Sequence, residues 1–439
     1  MINIIKYLII FIIIFSCSPK DELLVDIDSF KKQGTEVFLT NKKEILKKIK
    51  KINSIENFEI VDTGYWYHNY YQSSNILPHT SHSGIFSSYK KKKIFSSVKN
   101  NNFEKKILVI NNSIFYIDDL SNIYVLDLNF KLIKKFTLYK KKIFQDYLLK
   151  FSMVSDGENL FISDNLGNIH SYSPLLNKII WSTKLGVPFV SNIILYKKNL
   201  YLINDNGKIF SFNTINGNQN WSYETSTNII KNSNAFQVAA DQDKLIFSND
   251  LGEIFCIDLK VKNLIWSINL ETNIISNISN NELLDMSIIQ MKNNNIYFSS
   301  NRNYLLNINL ENGQTKWISE LPFSSNINSI ITQKNIVNLT NDGFLSIFNK
   351  SDGSLIFRIN LFENFKLSNK EKKEIEFKYM FIASNYIYAV SSNGFFFKIN
   401  SSNLNEIYLE NLSKSIKSFP IIVNEKMYFF DAKGFLYSF

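Results

Sequence analysis

Cysteine and histidine are scarce in this chain. Of its 439 residues, two are cysteines, Cys17 and Cys256, and four are histidines. The context of Cys17 predicts that it is acylated, which leaves Cys256 without a partner and excludes a disulfide framework. His79 and His82 lie close together in LPHTSHSG, but no cysteine or acidic residue has ligand spacing nearby. We therefore predict loop histidines and no metal site.

Catalytic and nucleotide-binding motifs are also missing from the sequence. It contains no recognisable Ser-His-Asp arrangement, phosphate loop or glycine-rich nucleotide fingerprint. The 39 acidic residues are scattered, without a paired cluster at a recurring strand end. Only 14 glycines and 6 prolines occur, which argues against low-complexity disorder. Aromatic residues make up 15% of the chain and supply a sizeable core. We predict a binding platform rather than an enzyme.

The chain is basic, with a formal net charge of +10. Its lysines occur in runs such as Lys90 to Lys93 and Lys140 to Lys142, without the interleaved aromatic residues of single-strand nucleic-acid sites. Export, which the N-terminus predicts, also argues against a nucleic-acid partner. We interpret the charge as a solvated surface near a membrane.

The first twenty residues predict export. Lys6 precedes an apolar run from Tyr7 to Phe15, which is too short for a membrane span and is typical of a secretory signal. The stretch from Ile14 to Cys17 resembles a bacterial lipobox, in which the cysteine carries the lipid and becomes the mature N-terminus. An ordinary signal with an incidental cysteine is the alternative interpretation.

These features predict three parts of the chain. Residues 1–16 are a lipoprotein signal peptide, residues 17–60 are the acylated, palmitate-bearing N-terminus with a polar tether, and residues 61–439 are the folded domain. Ser18 differs from the aspartate that, in sorted lipoproteins, is associated with inner-membrane retention. The resemblance implies an outer-membrane anchor that faces the periplasm.

A repeat with fixed internal spacing fills the rest of the sequence. The glycine-like and aromatic positions, each pair fourteen residues apart, are Gly167 and Trp181, Gly207 and Trp221, Gly252 and Trp266, Asn303 and Trp317, Gly343 and Phe357, and Gly394 and Tyr408. Alternating apolar residues and Asn, Asp or Gly turns predict four short strands in each unit. Repeats of this length are typical of β-propeller blades.

Counting the turn positions, from a degenerate copy at Ser121 to Gly434, gives eight units, but the last one stops at Phe439 before its outer strand. The segment at 90–99, KKKKIFSSVK, aligns with LNKIIWSTKL and places Phe95 in the tryptophan position. We therefore predict an all-β, eight-bladed propeller of four-stranded blades. Its N-terminal strand completes the last blade and protects open strand edges.

The repeated aromatic residues are predicted to dock between neighbouring blades, since each ring buries a large area. This structural set comprises Phe95, Trp181, Trp221, Trp266, Trp317, Phe357 and Tyr408. Lys134, at the matching place in the degenerate copy, departs from the pattern. The repeat is similar to the one named after pyrroloquinoline quinone, but the calcium ligands and adjacent cysteine pair of quinone enzymes are missing. We expect no cofactor.

The lipobox, tether and eight-bladed repeat together resemble the BamB family of outer-membrane β-barrel assembly lipoproteins. That resemblance implies binding to the barrel-inserting protein BamA through loops that link one blade to the next. At the matching positions stand Ile230 and Lys231 in one loop, and Asp285 and Ser287 in the next. The segment at 63–84 also looks like a stretch that precedes the first strand in some members, and we interpret it as a cover for the outer blade surface.

The predicted function is a non-catalytic scaffold of the barrel-assembly machinery, with BamA and unfolded outer-membrane proteins as partners and a lipid anchor in the membrane. Two alternatives stay open. One is a periplasmic enzyme similar to quinone-dependent dehydrogenases, and the other is a propeller that binds another envelope protein.

Overall fold

The structure is a computed structural model that describes residues 48–56, 59–95, 104–139, 148–229, 232–270, 284–412 and 414–439. Within these ranges the chain forms eight blades, each with four strands in order from the axis outward. The strands are, in blade 1, Ile107–Ile110, Ser113–Ile117, Asn122–Asp127 and Leu132–Thr137; in blade 2, Phe151–Ser155, Leu160–Asp164, Asn168–Ser173 and Lys178–Lys184; in blade 3, Ile194–Tyr196, Asn199–Ile203, Lys208–Asn213 and Gln219–Glu224; and in blade 4, Val238–Asp241, Lys244–Ser248, Glu253–Asp258 and Asn263–Asn269.

The second half of the ring continues the same order. The strands are, in blade 5, Gln290–Lys292, Asn295–Ser299, Tyr304–Asn309 and Thr315–Glu320; in blade 6, Ile330–Ile331, Asn335–Leu339, Phe344–Asn349 and Leu355–Asn360; in blade 7, Phe377–Ala383, Tyr386–Ser391, Phe395–Asn400 and Ile407–Asn411; and in blade 8, Ile421–Val423, Lys426–Phe430, Phe435–Ser438 and, outermost, Lys90–Lys93. The predicted all-β, eight-bladed fold is confirmed.

Helices are few and short among the residues that the structure describes. One α-helix, Asn369–Glu374, begins after Ser368, whose side chain and Glu371 form a capping box. Two 3-10 helices span Ser233–Ala235 and Leu361–Asn364. Among the described residues, no helix is long and apolar enough to cross a membrane.

Burial follows the order of the strands from the axis. The first strands of several successive blades contact each other around the axis, and the second and third strands are mostly buried between neighbouring blades. The outer strands are more exposed, as in Lys178–Lys184. Each core is therefore made by two blades, so a blade depends on its neighbours for stability.

The turn between the second and third strands explains the repeated polar residue and glycine. In blade 2, Asp164 Oδ1 accepts hydrogen bonds from the backbone N–H groups of Leu166 and Asn168, each at 2.9 Å. Gly167 has a φ of +81°, and a Cβ there would lie 2.5 Å from the carbonyl oxygen of Val187. The polar side chain closes the turn, and only glycine fits the backbone beside it.

The ring closes as the sequence predicts, because Lys90–Lys93 pairs antiparallel with the last strand, Phe435–Ser438. The register differs from the predicted alignment. Lys90 lies opposite Ser438, four residues beyond Gly434, which is the relation that Trp181 has to Gly167 in blade 2.

Placing Phe95 in the tryptophan position is therefore wrong, since Lys90 occupies that position. Phe95 lies past the end of the strand, is only 5% exposed and stacks on Tyr116 of blade 1 with ring centroids 4.6 Å apart. One of the lysines makes a polar contact between the last blade and the first. Lys92 Nζ donates to the carbonyl oxygen of Phe130, in the turn of blade 1, at 2.8 Å. Burial of Phe95 favours this register.

Residues 61–84, which we call the crossing segment, lie along the axis. Trp66 forms a backbone bridge with Val109 in the inner strand of blade 1. Ser73 O accepts a hydrogen bond from Ala240 N in blade 4, and Thr80 O accepts one from Ser384 N, beside the inner strand of blade 7. Interpretation of this stretch as a cover for the outer blade surface is wrong, because the free polar groups of the inner strands pair with it.

The N-terminal side of the described chain packs on blade 6. Ile49–Lys50 pairs with the outer strand of that blade, opposite Arg358 and Phe357, and makes its sheet five-stranded. Ile55, a few residues later, is only 4% exposed. Part of the range expected to be a tether is thus in contact with the propeller.

Candidate functional site

Three of the predicted docking aromatics join one blade to the next by the same contact. The indole N–H groups of tryptophans in blades 2, 4 and 5 donate to backbone carbonyls in the outer turns of blades 3, 5 and 6. These bonds run from Trp181 to Thr214 at 2.9 Å, from Trp266 to Leu310 at 3.0 Å and from Trp317 to Lys350 at 3.1 Å.

A glycine lies against each of these rings. A Cβ on Gly217 would lie 2.4 Å from a ring atom of Trp181, and a Cβ on Gly353 would lie 2.6 Å from a ring atom of Trp317. In sequence, Gly217 belongs to the same repeat as Trp221, which follows it by four residues. In space, the glycine receives the tryptophan of the preceding blade.

The remaining aromatic positions differ in their surroundings. Phe357 is fully buried, whereas Tyr408 is 47% exposed. Blade 8 explains this exposure: its third and outer strands come from opposite ends of the chain, so it has no outer turn on which Tyr408 could dock. In blade 1, Phe136 rather than Lys134 makes the contact and stacks on Tyr172 of blade 2 with ring centroids 4.4 Å apart.

Asp285 and Ser287 lie on one face of the ring, which we call the loop face. It is formed by the connections from each outer strand to the next inner strand. Ile230 and Lys231 lie outside the described residues. The adjoining Asn232 is described, and its side-chain amide donates to Leu284 O at 2.8 Å. The structure therefore brings the two predicted loops into contact.

Asp285 and Ser287 have different environments. Asn326 Nδ2 donates to Asp285 Oδ2 at 3.1 Å, while Asp285 Oδ1 has no hydrogen-bond partner in the protein. Ser287 is only 1% exposed, and its hydroxyl accepts a hydrogen bond from Ser299 N at 2.8 Å. Asp285 thus keeps one buried carboxylate oxygen without a hydrogen-bond partner in the protein.

Asp285 lies in a cavity on the axis, at the loop face. This axial cavity has a volume of about 420 Å³, and most of its lining residues lie near the beginnings of the inner strands. Tyr70 of the crossing segment lines it as well, so the N-terminal chain reaches the cavity from the axis. The Tyr70 ring lies edge-on to Phe419, with centroids 5.5 Å apart. Apart from Tyr70, every part of the lining belongs to the ring itself.

Basic residues outnumber acidic ones in the axial cavity. The charged residues in its lining are Lys106, Lys150, Lys378, Lys417, Glu104 and Asp285, four cations against two anions. Burial, reinforced by the charge of Lys106 and opposed by that of Glu104, lowers the pKa of Lys150. Burial, with Glu104 as a second cause, raises the pKa of Tyr70. The cavity favours an acidic group of a partner, with Asp285 as an acceptor for a donor beside it.

The donor set of the axial cavity does not fit a calcium ion with a quinone. Glu104 is paired with Lys106, and Asp285 accepts from Asn326. Across the described residues, no group of three or more His, Cys, Asp or Glu side chains is arranged to hold a metal. Calcium needs six to eight oxygen ligands, with carboxylates prominent among them.

Sequence reasoning missed the environment of His170. His170 lies in the third strand of blade 2 and is 8% exposed. Its Nδ1 lies 2.7 Å from Ser182 Oγ and its Nε2 lies 2.8 Å from the Tyr139 hydroxyl. Burial lowers the pKa of His170. Only strand pairing brings these residues together, so no sequence spacing indicates the contact.

This protein is thus a propeller in which outer-strand aromatic residues join several blades and loops converge on an axial cavity. The family model described as outer membrane protein assembly factor BamB matches residues 149–358 and 237–439. These matches extend over blades 2 to 8, and the chain belongs to this family. Among curated proteins, none matches the sequence significantly.

Solved structures show the same fold at low identity. BamB from Moraxella catarrhalis has a TM-score of 0.59 and 14% identity, over 80% of this chain and 99% of that one. Quinohemoprotein alcohol dehydrogenase from Comamonas testosteroni has a TM-score of 0.60 and 8% identity, over 86% of this chain and 80% of that one. The computationally designed Ika8 protein has a TM-score of 0.58 and 8% identity, over 79% of this chain and 99% of that one.

Proposed function

We propose that this protein is a non-catalytic scaffold of the machinery that assembles outer-membrane β-barrel proteins. It binds a BamA-like barrel-inserting protein through the loop face. The family match over blades 2 to 8 carries this proposal. The contact between the two predicted loops, Asn232 to Leu284, supports it, since residues from both reach one partner surface.

Charge on the loop face supports a polar protein partner. Lysines line the axial cavity, while Asp285 keeps one oxygen without a protein partner. In the proposed complex, acidic side chains of the partner approach the lysines and a donor of the partner binds Asp285. Charge pairs of this kind determine which surface is recognised and increase the association rate. Lys231 and Ile230 extend the contact, as the family resemblance implies.

The lipid on Cys17 holds the ring at the periplasmic side of the outer membrane in this proposal. Unfolded barrel proteins are the clients that the assembled machine handles, and the propeller positions the machine without acting on them chemically. The chain between the lipid and the propeller provides the reach.

A pull-down from native membranes in mild detergent tests the proposal. The tagged wild-type protein should recover the barrel-inserting protein, and the double variant Lys231→Glu with Asp285→Lys should lose at least about 90% of it, since reversed charges repel. Glu158→Lys is the control, because Glu158 is exposed in the turn between the first two strands of blade 2, away from the loop face. Equal recovery by wild type and the double variant would refute this binding site.

The same experiment separates the alternatives. Recovery of a different envelope protein, without the barrel-inserting protein, would support a propeller with another partner. A dehydrogenase resembling the quinone enzymes would copurify with a quinone that absorbs in the near ultraviolet and would require calcium. The similarity to quinohemoprotein alcohol dehydrogenase shows a shared fold, and function depends on the site rather than the fold.

A further inference from the structure

A second cavity lies between blades 5 and 6, near the turns of blade 6 and away from the loop face. This interblade cavity has a volume of about 790 Å³, within the range of small-molecule sites. Blade 5 contributes Tyr297 and Asn307, blade 6 contributes Lys334 and Lys350, and the N-terminal segment contributes Glu56. Two successive blades and an N-terminal segment that is distant in sequence therefore build its walls.

Three residues of the cavity lining carry buried polar atoms without hydrogen-bond partners. Tyr297 lies opposite Asn307, which lies opposite Trp317, so the three form one row across blade 5. Tyr297 is 0% exposed and Asn307 is 2% exposed. The Tyr297 hydroxyl, Asn307 Oδ1 and the nearby Asn295 Oδ1 have no hydrogen-bond partner in the protein. A group that bonds to these atoms would recover the cost of burying them.

Blade 3 provides a comparison at the same strand position. Tyr201 is also buried, at 2% exposure, and lies opposite Ser211. The polar side chains of Ser211 and Asn199 lie near its hydroxyl and oppose the rise in its pKa that burial causes. The matching tyrosine is thus satisfied within its own blade, while Tyr297 is not.

The charge of the interblade cavity is positive. Lys316, Lys334 and Lys350 line it together with one carboxylate, Glu56. That carboxylate is already occupied, because it accepts hydrogen bonds from the Thr332 hydroxyl at 2.5 Å and from Lys334 N at 2.6 Å. The lysine ammonium groups therefore have an excess of positive charge that an anion would neutralise.

We propose that the interblade cavity binds a small hydroxylated anion of the sugar-phosphate or sugar-acid class. The anionic group faces Lys316 and Lys334, which are exposed at the rim. The ligand hydroxyls donate to Asn307 Oδ1 and Asn295 Oδ1, which as amide oxygens only accept, and one bonds with the Tyr297 hydroxyl. This site is separate from the axial cavity and does not depend on the proposed scaffold function.

Calorimetric titration of the purified protein with four probes tests the site. Glucose 6-phosphate and glucuronate carry both required features and distinguish phosphate from carboxylate recognition. Glucose lacks the charge and inorganic phosphate lacks the sugar hydroxyls. We expect one equivalent of at least one anionic sugar to bind, and both incomplete probes to bind about tenfold more weakly or less. Failure of both anionic sugars to bind below about 10 mM would overturn the proposal.

Variants locate the binding. Tyr297→Phe should weaken binding about fivefold, and Lys316→Gln with Lys334→Gln about tenfold. Tyr201→Phe and the exposed pair Lys178→Gln with Lys184→Gln are the matched controls and should bind as wild type. Equal weakening by the control lysine pair would show that the anion binds surface charge only, and would also overturn the proposal.

Thermal unfolding gives a readout without ligand. Removing a partnerless buried hydroxyl removes a cost, so Tyr297→Phe should melt at the wild-type temperature or above it. Tyr201→Phe loses the polar surroundings of its hydroxyl, the Ser211 and Asn199 side chains, and should melt lower. Equal destabilisation by both variants would mean that the Tyr297 hydroxyl is already satisfied, which contradicts the proposed site.

Discussion

Gly353 illustrates how single residues hold neighbouring blades together. Its φ is +72°, and a Cβ would lie 2.6 Å from both the Trp317 ring and Ser319 Oγ. The fourteen-residue spacing of the repeat indicated an aromatic position, but the partner of that aromatic residue lies one blade further on. A glycine of the following repeat is therefore part of the contact.

Gly353→Ala should destabilise the protein by about 2–4 kcal/mol, because it adds both backbone strain and overlap with the ring. Gly186→Ala is the control, since Gly186 also has a positive φ, +74°, but nothing lies within 4 Å of the added Cβ. It should cost about 1 kcal/mol. Urea unfolding of both variants measures the difference, and equal losses would show that strain alone matters.

His68 links stability to pH at the residue scale. Burial lowers its pKa to about 4, whereas in an unfolded chain it is about 6.5. The unfolded state binds the proton more readily, so stability is complete above about pH 6.5 and falls as the pH decreases toward 4, by about 2 kcal/mol between pH 7 and 5.

His68→Gln should reduce that pH dependence, as measured by urea unfolding at several pH values. Burial also lowers the pKa of His82 and His170, so the dependence should shrink rather than disappear. A variant with the same slope as wild type would contradict the assignment to His68.

At the scale of elements, the closing strand completes blade 8. Pairing of Lys90–Lys93 with the last strand leaves four lysine side chains exposed, so Phe95 supplies the apolar contact. Phe95→Ala should cost about 3–5 kcal/mol, and deletion of residues 90–99 should destabilise the whole ring.

Tyr408→Ala is the matched control for Phe95→Ala, because that aromatic residue is 47% exposed in the outer strand of blade 7. It should cost less than about 1 kcal/mol. Thermal unfolding compares the two, and an unchanged melting temperature in the deletion variant would be evidence against closure by this strand.

The crossing segment is the second element that joins distant blades. Asn75 Nδ2 donates to the backbone oxygens of Val238 in blade 4 and of Ile289, just before blade 5, both at 2.9 Å. Asn75→Ala should cost about 2–4 kcal/mol, since both carbonyls lose a buried donor. Asn111→Ala serves as the control. Both Asn75 and Asn111 have a positive φ, but Asn111 is exposed and its side chain donates one hydrogen bond, to Gly157 O. Similar losses in chemical unfolding would show that the backbone conformation, not the bonds, is responsible.

At the scale of the molecule, the two ends of the propeller meet without a covalent link, and the lipid is predicted at the N-terminal end. Cys17→Ala should remove the anchor, because the protein then lacks the acyl chains that insert into the membrane. Fractionation of cells should then find the variant in the soluble periplasm, while Ser18→Ala stays with the outer membrane. Continued membrane association of Cys17→Ala would contradict the lipid anchor.

The repeat, the strand pattern and the number of blades could be predicted from the sequence alone. Those features are local: fourteen-residue spacing and turn residues at fixed places follow from how four short strands fold in succession. Closure by the N-terminal strand was also predictable, since the last unit is one strand short.

Which groups meet across the ring depends on how the blades pack in three dimensions. The strand register at Lys90, the path of the crossing segment along the axis, the pairing of Gly353 with Trp317 and the partnerless Tyr297 hydroxyl all depend on contacts between chain segments far apart in sequence. Burial and hydrogen-bond satisfaction are properties of the assembled ring, because each core and each cavity wall is shared by separate blades. A pattern within one repeat contains no information on them.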